Sequence, residues 1–544
     1  MSNYFIYHLH SDYSSCTTNI DSVTKIDMYI NKAKECGMTA LAFSEHGNIL
    51  NWYEKKSKIE KAGMKYVHAM EAYVTETLDE AIRDNYHFVL IAKNYDGFLE
   101  LNKLNTKSYN RHDNSFYYRP RISLDDIMNT SDNIIITTAC LAGLLNSQKD
   151  ELKEKFINWA ITHKDRVFLE VQHHNVSEQI SYNKNLYILS QKTGLRLITG
   201  TDTHSIDEPH AEARVIMQKA KGVYFDNEDG WDLTFKTYDE LVESYRKQNS
   251  LPMDIVFEAI RTTKIVEDMI EPFELDMSTK YPKLYDNSLE VFRKMVYDSI
   301  DTHPYALKFH TKEEIVKRIE EELPVYEKTH MIDFMLFQKF VRDWEHENNI
   351  YVGAGRGSVS GSYIAYLLGI TEMDSIRFDL NFFRFANEYR VSNCDIDSDY
   401  YDPDRIKTRN FLLTCDKIKS AEIAAFGTIK LRGAIRDVGR ALELPLDEVT
   451  EICDKLEEVE INGKKVEVAG ETLRKKYPEL FKYVDLVQDV IVSVGTHPAG
   501  VLCASRPIDE EIGLFSLSTT EHMVSCNDMY GLDACWWTKL DCLG

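Results

Sequence analysis

The feature that most constrains the fold is a series of short apolar runs within residues 5–204, separated by segments of helical periodicity. Strands that alternate with helices predict an α/β fold with a parallel sheet or a barrel. In nearly every run, a His, Asp, Glu or Cys stands at or just after the C-terminal end, where barrel enzymes assemble their sites. The runs are FIYHLH (5–10), TALAFSEH (39–46), KYVHAMEAYV (65–74), HFVLIAKN (87–94), NIIITTAC (133–140), VFLEVQHH (167–174) and LRLITGTDTH (195–204).

The polar residues at these strand ends have the composition of a metal centre. His8 and His10 are two residues apart on a predicted strand, so both imidazoles point to one face. Alone, such a pair is more often two ordinary strand histidines. Mixed N, O and S donors at successive strand ends favour a site for Zn²⁺, Mn²⁺ or Fe²⁺. The further donors are His46, Glu71, His87, Cys140, Asp202 and His204.

Length and composition predict a globular protein of several domains. The 544 residues exceed what one hydrophobic core usually organises, which predicts about two to four domains. Hydrophobic residues make up 43% of the chain and charged residues 28%, as in globular proteins. The net charge of −24 argues against DNA binding, unless the acidic groups face metals and solvent while a local basic stripe meets the phosphates.

Neither a secretion signal nor a membrane span is recognisable in the sequence. The start MSNYFIYHLHSDYS lacks a basic segment, a long apolar stretch and a cleavage site. No apolar run approaches the roughly 18 to 20 residues of a membrane helix. The ten cysteines form no CxxC pair, which favours reduced thiols. These features predict a cytoplasmic protein, in a bacterial cell or a phage-infected host, without a membrane partner.

A Gly/Ser-rich segment, YVGAGRGSVSGSYIAYLLGIT (351–371), follows amphipathic helices predicted over 310–350. A Gly-rich turn before a helix offers N–H groups and the helix dipole to a phosphate. The lysine of the GxxxxGK[ST] motif is absent, which disfavours an ATPase of that class. A bare Gly-rich loop is a structural turn more often than a phosphate site, so the interpretation depends on its neighbours.

The neighbouring segment carries three alternating carboxylates. Asp395, Asp397 and Asp399 lie on one face of a predicted strand, where they repel one another unless cations lie between them. An EF-hand loop is the alternative, but Tyr400 stands where its glycine belongs. The pattern therefore favours a catalytic metal site.

A basic stripe occurs in FGTIKLRGAIRDVGRALEL. Arg432, Arg436 and Arg440 are four residues apart and share one helix face, and Lys430 extends the stripe. A solvated charged face is the usual explanation for such spacing. In an acidic chain, the stripe also fits contact with a phosphate backbone.

The motifs HLHSDYS, AFSEHGN, AMEAYV, HFVLIAKN, TACLAG and GTDTH resemble, in order, those of the PHP (polymerase and histidinol phosphatase) domain that opens the alpha subunit of bacterial DNA polymerase III. The resemblance spans about residues 4–210 and implies a distorted (β/α)7 barrel with proofreading 3′–5′ exonuclease activity. It fills eight of the family's nine metal-ligand positions: His8, His10, His46, Glu71, His87, Cys140, Asp202 and His204.

Two positions depart from the family pattern. Thr17 stands where the family carries an aspartate ligand, and Glu45 replaces the aspartate before His46. Asp12 or Asp21 could supply the missing ligand, and the sequence does not decide between them. Family members that have lost several ligands keep the domain as a scaffold, which leaves a structural metal site as the alternative to the exonuclease.

The later motifs resemble the palm of the same family. GAGRGSVSGSYIAYLLGIT and FRFANEYRVSNCDIDSDY imply two Mg²⁺-binding acids, and THPAGVLCA and WWTKLDCLG imply the strand that returns with a third. The implied catalytic acids are Asp397, Asp399 and Asp541. The implied nucleotide-binding residues are Arg356, Gly357, Ser358, Arg390 and Lys539. The arginine stripe matches the family's DNA-gripping thumb.

The resemblance predicts an α/β multidomain fold, with the barrel followed by a nucleotidyltransferase-type α+β palm and an inserted helical thumb. The predicted domains are the barrel at 1–265, the palm at 266–425 and 496–544, and the thumb at 426–495. The implied function is that of a replicative DNA-directed DNA polymerase, acting on primed DNA and dNTPs with Mg²⁺ in the palm and Zn²⁺ or Mn²⁺ in the barrel.

Family members continue into fingers, a clamp-binding region and an OB domain, which this sequence lacks. We therefore expect a separate C-terminal half as partner, a sliding clamp reached through it, and weak or no synthesis by this chain alone. The alternatives are a stand-alone PHP phosphoesterase and an inactive scaffold.

Overall fold

The computed structural model describes residues 4–224, 230–389 and 396–544. The chain divides into two compact units. The first unit consists of residues 1–274, 426–495 and 513–516, and the second of residues 275–425, 496–512 and 517–544. The predicted division into four domains stays a prediction, and its first boundary, at residue 265, falls inside a helix.

The described residues form strands and helices in alternation. The strands are β1 Ala40–Phe43, β2 Lys65–Thr75, β3 Tyr86–Ala92, β4 Phe116–Tyr117, β5 Arg119–Ser123, β6 Ile134–Thr137, β7 Val167–Gln172, β8 Arg196–Gly200, β9 Ser398–Asp399, β10 Lys419–Thr428, β11 Glu457–Ile461, β12 Lys464–Val468, β13 Ile491–Ala504, β14 Leu514–Ser516, β15 Met523–Asp528 and β16 Lys539–Leu543. The helices are α1 Ile26–Glu35, α2 Trp52–Lys61, α3 Tyr95–Ser108, α4 Leu124–Met128, α5 Asp150–Ile161, α6 Ser177–Thr193, α7 Glu208–Lys221, α8 Tyr238–Gln248, α9 Met253–Asp268, α10 Ser288–Thr302, α11 Ala306–Phe309, α12 Lys312–Lys328, α13 Ile332–Glu347, α14 Tyr363–Leu367, α15 Asp402–Thr414, α16 Leu431–Ala441, α17 Leu446–Asp454, α18 Glu471–Lys476, α19 Pro478–Val487, α20 Ile508–Glu511 and α21 Met529–Ala534.

Local sequence signals explain where many helices begin and end. α8 and α12 start with capping boxes, in which Thr237 and Thr311 each exchange hydrogen bonds with the glutamate three residues later. α6 and α7 end at Gly194 and Gly222, whose φ angles of 74° and 66° are open to glycine without strain. In the described residues, no helix is long and apolar enough to cross a membrane.

The first unit is built on a curled sheet with the strand order β4-β5-β2-β3-β6-β7-β8, and β1 pairs with β2. The pairs β1 with β2, β6 with β7, and β7 with β8 are parallel, as the alternation of strands and helices predicts. The prediction of a parallel sheet is wrong at β3, which is antiparallel to β2 and β6. The reason is that residues 76–85, between β2 and β3, form no crossover helix.

The N-terminal segment, residues 4–10, is hydrogen-bonded on both sides. The amide of Ser44 donates to the Leu9 carbonyl (2.9 Å), beside β1. On the other side, the amide of His10 donates to the Thr203 carbonyl (2.8 Å), just after β8. This segment therefore holds His8 and His10 between the ends of β1 and β8. Below them lies an apolar core that includes Phe5, Tyr7, Val67, Val89, Ile135 and Ile198.

Residues 426–495 pack into the first unit through α16, α17, α18 and α19, and also contain the β11–β12 hairpin. The apolar face of α16 is buried with residues of α7 and of the loop before α1. The shared core includes Ile20, Val23, Ala213, Met217, Ile435, Val438 and Val484. The segment predicted as a helical thumb is therefore helical in large part, and its core is continuous with that of the first region.

In the second unit, strands β15, β10, β13, β16 and β9 lie side by side in that order. β16 pairs in parallel with β9, with Cys542 opposite Ser398 and Leu543 opposite Asp399. β13 pairs antiparallel with β16, with Gly500 opposite Asp541. Helices α10–α14 form a separate apolar core of this unit, with Phe292, Ile319, Tyr326, Phe334 and Ile364 among its buried residues.

Candidate functional site

Three overlapping groups of side chains lie at the C-terminal ends of the first unit's strands. Within each group, the potential ligand atoms all lie within 4.8 Å of one another. The groups are His10, Asp21, His46 and His204; His8, His10 and Glu71; and His46, Glu71 and His87. All of these residues are buried except His87, which is partly exposed. The structure thus brings together residues that are far apart in sequence.

Glu71 occupies the centre of this cluster. Its Oε2 lies 2.6 Å from Nδ1 of His46, and its Oε1 lies 2.9 Å from Nδ1 of His87. The same carboxylate is 3.3 Å from Nε2 of His8 and 3.5 Å from Nε2 of His10. The antiparallel pairing of β2 with β3, which sets Tyr73 opposite His87, brings Glu71 and His87 into reach.

Asp202 and Cys140 lie beside these groups. Oδ1 of Asp202 is 3.3 Å from Nε2 of both His8 and His10, and its backbone has a left-handed φ of 47°. Sγ of Cys140 lies 3.6 Å from Nδ1 of His87. Burial, with the charges of Asp202 and Glu71, raises the pKa of the Cys140 thiol well above its ordinary value. A coordinating cation reverses this effect, because it deprotonates a bound thiol.

Asp21 lies in the cluster, whereas Asp12 and Thr17 do not. Oδ1 of Asp21 is 3.6 Å from Nε2 of His46, and its Oδ2 is 3.5 Å from Nε2 of His204. Oδ2 of Asp12 instead accepts a hydrogen bond from the amide of Ile491 (3.0 Å). The alternative that the sequence left open is therefore decided in favour of Asp21 as the additional carboxylate of the cluster.

The donor set fits a group of cations. Within the described residues, six buried side-chain atoms of the cluster make no hydrogen bond, although they converge on one another. They are His8 Nε2, His10 Nε2, Asp21 Oδ2, His46 Nδ1, Glu71 Oε2 and Asp202 Oδ1. Buried polar atoms without hydrogen bonds are costly unless ions satisfy them. Imidazole and carboxylate donors together suit Zn²⁺ or Mn²⁺.

The pKa shifts in the cluster show strong coupling between acids and imidazoles. Burial lowers the pKa of His8, but Glu170, Asp202 and Glu71 outweigh it and raise that pKa well above its ordinary value. Burial raises the pKa of Asp21, but His204, His46 and His10 outweigh it and hold that pKa far below its ordinary range. Imidazolium ions thus neutralise carboxylates that bound cations would otherwise neutralise.

Glu170 is a functional residue that the sequence analysis missed. It is fully buried on β7, and its Oε1 lies 2.6 Å from Nδ1 of His8. Tyr7, Thr137 and Gln172 donate further hydrogen bonds to its carboxylate. Such a carboxylate fixes the orientation and tautomer of a metal-binding histidine. The available signal was an acid inside the otherwise apolar run VFLEVQ.

We expect Gly200→Ala to destabilise the first unit by about 1–3 kcal/mol, because overpacking of a buried site costs that much. A Cβ at this position would overlap the Glu170 carboxylate, which Tyr7 and Thr137 hold in place. Urea-induced unfolding measures the effect. Gly495→Ala is the control, since a Cβ there meets nothing within 4 Å. Equal stability of the two variants would contradict the close packing of β8 against Glu170.

A cavity of about 660 Å³ opens over the cluster. Its walls include the ligand residues His46, His87 and Asp202, together with Arg119 and Trp231. Nη1 of Arg119 donates to the Thr17 carbonyl oxygen (2.6 Å), which fixes the guanidinium at the wall. The cavity is within the size range of small-molecule sites and gives a ligand direct access to the cluster.

The second unit holds the other predicted acids. Continuing the pairing of β16 with β9 by one residue places Asp541 opposite Asp397, on the same face of the sheet. Nη1 of Arg356 lies 2.8 Å from Oδ1 of Asp399, and Lys539 pairs with Asp541. Oδ1 of Asp541 is buried without a hydrogen bond in the described part of the chain. This atom and the half-exposed Asp397 and Asp399 fit a cation bound by oxygen ligands.

The second cluster is looser than the first. Among the described residues, the oxygens of the three acids do not gather within 4.8 Å of one another. Arg390 and Asp395, which the sequence analysis also named, lie outside the described residues. His497, whose Nδ1 accepts a hydrogen bond from the amide of Gly500 (2.7 Å), lies close to Asp541 and is a further neighbour of the site.

The Gly/Ser segment forms a turn and a 3-10 helix, Gly357–Gly361, rather than the start of a long helix. Gly355 and Gly357 have φ angles of 142° and 73°, which L side chains rarely adopt. Arg356 is exposed, and Ser358 is partly exposed. The buried Glu322 accepts hydrogen bonds from the amides of Tyr363 (2.8 Å) and Ile364 (3.1 Å) and so caps α14 behind the turn.

The arginine stripe lies on α16, with Arg432, Arg436 and Arg440 four residues apart as predicted. Nε of Arg432 donates to Oε1 of Glu467 (2.7 Å), and Nη1 of Arg440 donates to the Ala220 carbonyl (3.1 Å). Arg436 is exposed. Two of the three guanidinium groups therefore take part in packing within the first unit.

Comparison with known proteins places these sites in a family. The model of the PHP domain matches residues 7–174, and that of the bacterial DNA polymerase III alpha NTPase domain matches residues 290–544. The DNA polymerase III subunit alpha of Borreliella burgdorferi is 28% identical over 567 residues, which cover 100% of this chain and 48% of the relative. That of Aquifex aeolicus is 28% identical over 616 residues, which cover 100% of this chain and 51% of the relative.

The same holds for Treponema pallidum, whose DNA polymerase III subunit alpha is 28% identical over 559 residues, covering 99% of this chain and 47% of the relative. The chain thus spans about half the length of the curated relatives it matches. The order of the two matched domains and the similarity along the whole chain show that the protein belongs to the family of bacterial DNA polymerase III alpha subunits.

Proposed function

We propose that this chain carries the nucleotidyl-transfer site of a DNA-directed DNA polymerase and, in its PHP domain, a 3′–5′ exonuclease. The observation that carries the first activity is the register of β16 with β9, which sets Asp541 opposite Asp397 beside Asp399. The cluster centred on Glu71 carries the second. Both sites combine carboxylates in a way that suits divalent cations acting on phosphates.

In the palm, Asp397, Asp399 and Asp541 would hold Mg²⁺. Bound Mg²⁺ supplies neutralisation of the charge that develops on the transferred phosphate. Arg356 would exchange its contact with Asp399 for the incoming triphosphate, as would Lys539 its contact with Asp541. The remaining residues proposed for nucleotide binding are Gly357 and Ser358, in the exposed turn, and Arg390.

In the PHP domain, Zn²⁺ or Mn²⁺ would be held by the residues of the cluster. Bound cations supply an activated water and stabilise charge on phosphorus during hydrolysis of a phosphodiester. The chain's residues orient these ligands, as Glu170 does for His8. The proposed ligands are His8, His10, Asp21, His46, Glu71, His87, Cys140, Asp202 and His204.

We further propose that the PHP sheet closes into a distorted (β/α)7 barrel through the hydrogen bonds of residues 4–10 to β1 and to the end of β8. Residues 1–265 would form this barrel, 266–425 and 496–544 the palm, and 426–495 the thumb. Arg436, with Arg432 and Arg440 once released from their present partners, would contact DNA phosphates. This basic face would offset the repulsion between an acidic chain and DNA.

The proposed partners follow from the half-length match to the relatives. They are primed DNA, dNTPs, a complementary C-terminal half with fingers, clamp-binding and OB regions, and a sliding clamp bound through that half. We propose a cytoplasmic location. Synthesis would require the complementary half, because a palm alone offers few contacts to the template and the nucleotide.

A mismatched primer end tests the exonuclease. The purified chain is expected to remove the mismatched 3′ nucleotide in Mn²⁺ or Zn²⁺, whereas the His8→Ala/His10→Ala variant is not. Unchanged degradation by that variant would rule out the PHP site as its source. A gel shift with primed DNA separates the alternatives, since a stand-alone phosphoesterase for small monoesters has no DNA affinity and an inactive scaffold binds without hydrolysis.

Primer extension tests the polymerase. With the complementary half added, the chain is expected to extend a primer, and Asp397→Asn or Asp541→Asn is expected to abolish extension. The same variants should leave the removal of a mismatched 3′ nucleotide intact, because their residues lie in the second unit. Extension by both variants would overturn the assignment.

We expect Asp21→Asn to lower the number of Zn²⁺ ions retained per chain by at least one, because Asp21 faces three imidazoles of the cluster. Plasma mass spectrometry of dialysed protein measures the count. Thr17→Val is the matched control, because Oγ1 of Thr17 accepts from Asn48 (2.9 Å) rather than facing the cluster. An unchanged count in Asp21→Asn, or the same loss in both variants, would argue against Asp21 as a ligand.

A further inference from the structure

We propose that Glu45 and Lys55 are positioning residues that act through Ser14 to fix the proton of His10, so that Nε2 of His10 stays free to bind a metal ion. The inference rests on the metal centre proposed above. It concerns residues outside the ligand set, and it gives a role to Glu45, which stands where the family carries aspartate.

Glu45, Lys55, Ser11 and Ser14 form a buried chain of contacts. Nζ of Lys55 lies 2.7 Å from Oε1 of Glu45, and both side chains are almost completely buried. The amide of Ser11 donates to Oε2 of Glu45 (3.0 Å), and its hydroxyl donates to Oε1. The hydroxyl of Ser14 donates to Oε2 (2.6 Å). Every group around the carboxylate is a donor, so Glu45 accepts all of these bonds as an anion.

The count of protons on Ser14 then determines the tautomer of His10. Ser14 has a single hydroxyl proton, and its contact with Glu45 uses that proton. Oγ of Ser14 also lies 3.0 Å from Nδ1 of His10. Because Oγ has no proton left to give, Nδ1 of His10 must be the donor in this bond. In a neutral imidazole, the proton on Nδ1 leaves a lone pair on Nε2.

The position of that lone pair matches the cluster. Nε2 of His10 is buried, makes no hydrogen bond in the described residues, and lies 3.3 Å from Oδ1 of Asp202 and 3.5 Å from Oε2 of Glu71. His8 shows the same arrangement with a different carboxylate, since its Nδ1 contacts Glu170 and its Nε2 makes no hydrogen bond. Two separate carboxylates therefore control two neighbouring ligands, His8 directly and His10 through a hydroxyl.

A purely stabilising role accounts poorly for the pair of Glu45 and Lys55. Nζ of Lys55 lies over the rings of Tyr13 (4.7 Å) and Phe43 (5.6 Å), so the ammonium is in an apolar surrounding. The desolvation of two charges offsets most of their attraction, and apolar residues of similar volume are often as stable. What apolar residues cannot supply is an anion that takes the proton of Ser14.

The test is Zn²⁺ binding by the full chain, stripped with a chelator and titrated by equilibrium dialysis. In Glu45→Gln/Lys55→Met, the buried charges disappear together, so we expect the fold to persist. The side-chain amide introduced at position 45 can donate to Ser14, which frees the hydroxyl proton for Nδ1 of His10 and moves the imidazole proton to Nε2. We expect the dissociation constant for Zn²⁺ to rise about 10–100-fold.

Ser14→Ala is the second variant, and it removes the link while keeping both charges. We expect it to weaken Zn²⁺ binding in the same direction, and it decides the question should the double variant fail to fold. The matched control is Lys56→Met/Glu60→Gln, which removes a neighbouring ion pair on α2. That control is expected to bind Zn²⁺ as the wild type does.

Each outcome is informative. Wild-type affinity in a folded Glu45→Gln/Lys55→Met protein, or in Ser14→Ala, would overturn the positioning role and leave the metal centre intact. Equal loss of affinity in the α2 control would also overturn it, because removal of any ion pair would then suffice. If the wild type itself binds no Zn²⁺ or Mn²⁺, the proposed metal centre fails, and the inference fails with it.

Discussion

Glu345→Leu is expected to lower the free energy of unfolding of the second unit by about 3–5 kcal/mol, because the substitution leaves the buried charge of Arg342 without its partner. Nη1 of Arg342 lies 2.6 Å from Oε2 of Glu345, and both side chains are almost fully buried. The cost should exceed that of most single substitutions in the protein.

The same pair holds the strand that carries the catalytic acids. Arg342 also donates to the hydroxyl of Ser398, the first residue of β9. The hydroxyl of Tyr400, just after β9, donates to Oε1 of Glu345 (2.7 Å). Loss of Glu345 therefore removes the support of β9 from α13, next to Asp399. We expect primer extension in the presence of the complementary half to fall together with stability.

Urea-induced unfolding of the purified chain measures the loss of stability as a shift of the transition to lower urea concentration. Arg342→Met/Glu345→Leu is the decisive comparison, since it removes both charges and should cost much less than Glu345→Leu alone. Lys339→Met removes a solvent-exposed ion pair with Asp343 on the same helix and should change stability by less than about 1 kcal/mol. Equal losses in the single and double variants would show that packing, rather than charge, stabilises this position.

The sequence predicted the strands of the first unit well because their side-chain pattern is local. The apolar runs at 65–74, 87–94 and 167–174 coincide closely with β2, β3 and β7. Polar residues at the ends of these runs meet in space because strand ends gather at one edge of a sheet. His8, Glu71 and Asp202 could thus be proposed together without any knowledge of distances, and the structure brings them into contact.

Asp21 and Glu170 show where a local pattern stops being informative. Asp21 follows Ile20, whose φ of 51° turns the loop toward His46 and His204, and isoleucine gives no signal for such a conformation. Glu170 lies within an apolar run, and its role depends on His8, which is 162 residues away in sequence. Both roles depend on long-range placement, which spacing along the chain does not determine.

Long-range packing also explains what the sequence missed in the fold. β3 is antiparallel because residues 76–85 return the chain directly, whereas strand spacing alone suggested another crossover. α16 was noticed for its arginine stripe, but its apolar face packs with α7 in the core of the first unit. The charged face of a helix is visible in sequence, whereas the partner of its apolar face is not.

Glu71→Gln is expected to remove nearly all of the stability that metal binding gives to the chain. Free Zn²⁺ at 100 times its dissociation constant adds about 2.7 kcal/mol to a protein with one such site. Glu71 contacts His8, His10, His46 and His87, so its carboxylate is shared by two of the three ligand groups. An amide keeps the shape of the side chain but offers one neutral oxygen, so we expect less than about 0.5 kcal/mol of the increment to remain.

The increment is measured as the difference in urea-induced unfolding between chelator-stripped and Zn²⁺-loaded protein, so any effect of the substitution on the metal-free fold cancels. Glu76→Gln is the matched control on the same segment, because Glu76 is partly exposed and pairs with Lys149 (3.0 Å). It should keep the full increment, and it should also keep the removal of mismatched 3′ ends that Glu71→Gln is expected to lose. A Glu71→Gln protein with the full increment would mean that Zn²⁺ binds elsewhere. Loss of the 3′ nucleotide removal with the increment intact would instead place Glu71 in the hydrolysis step rather than in metal binding.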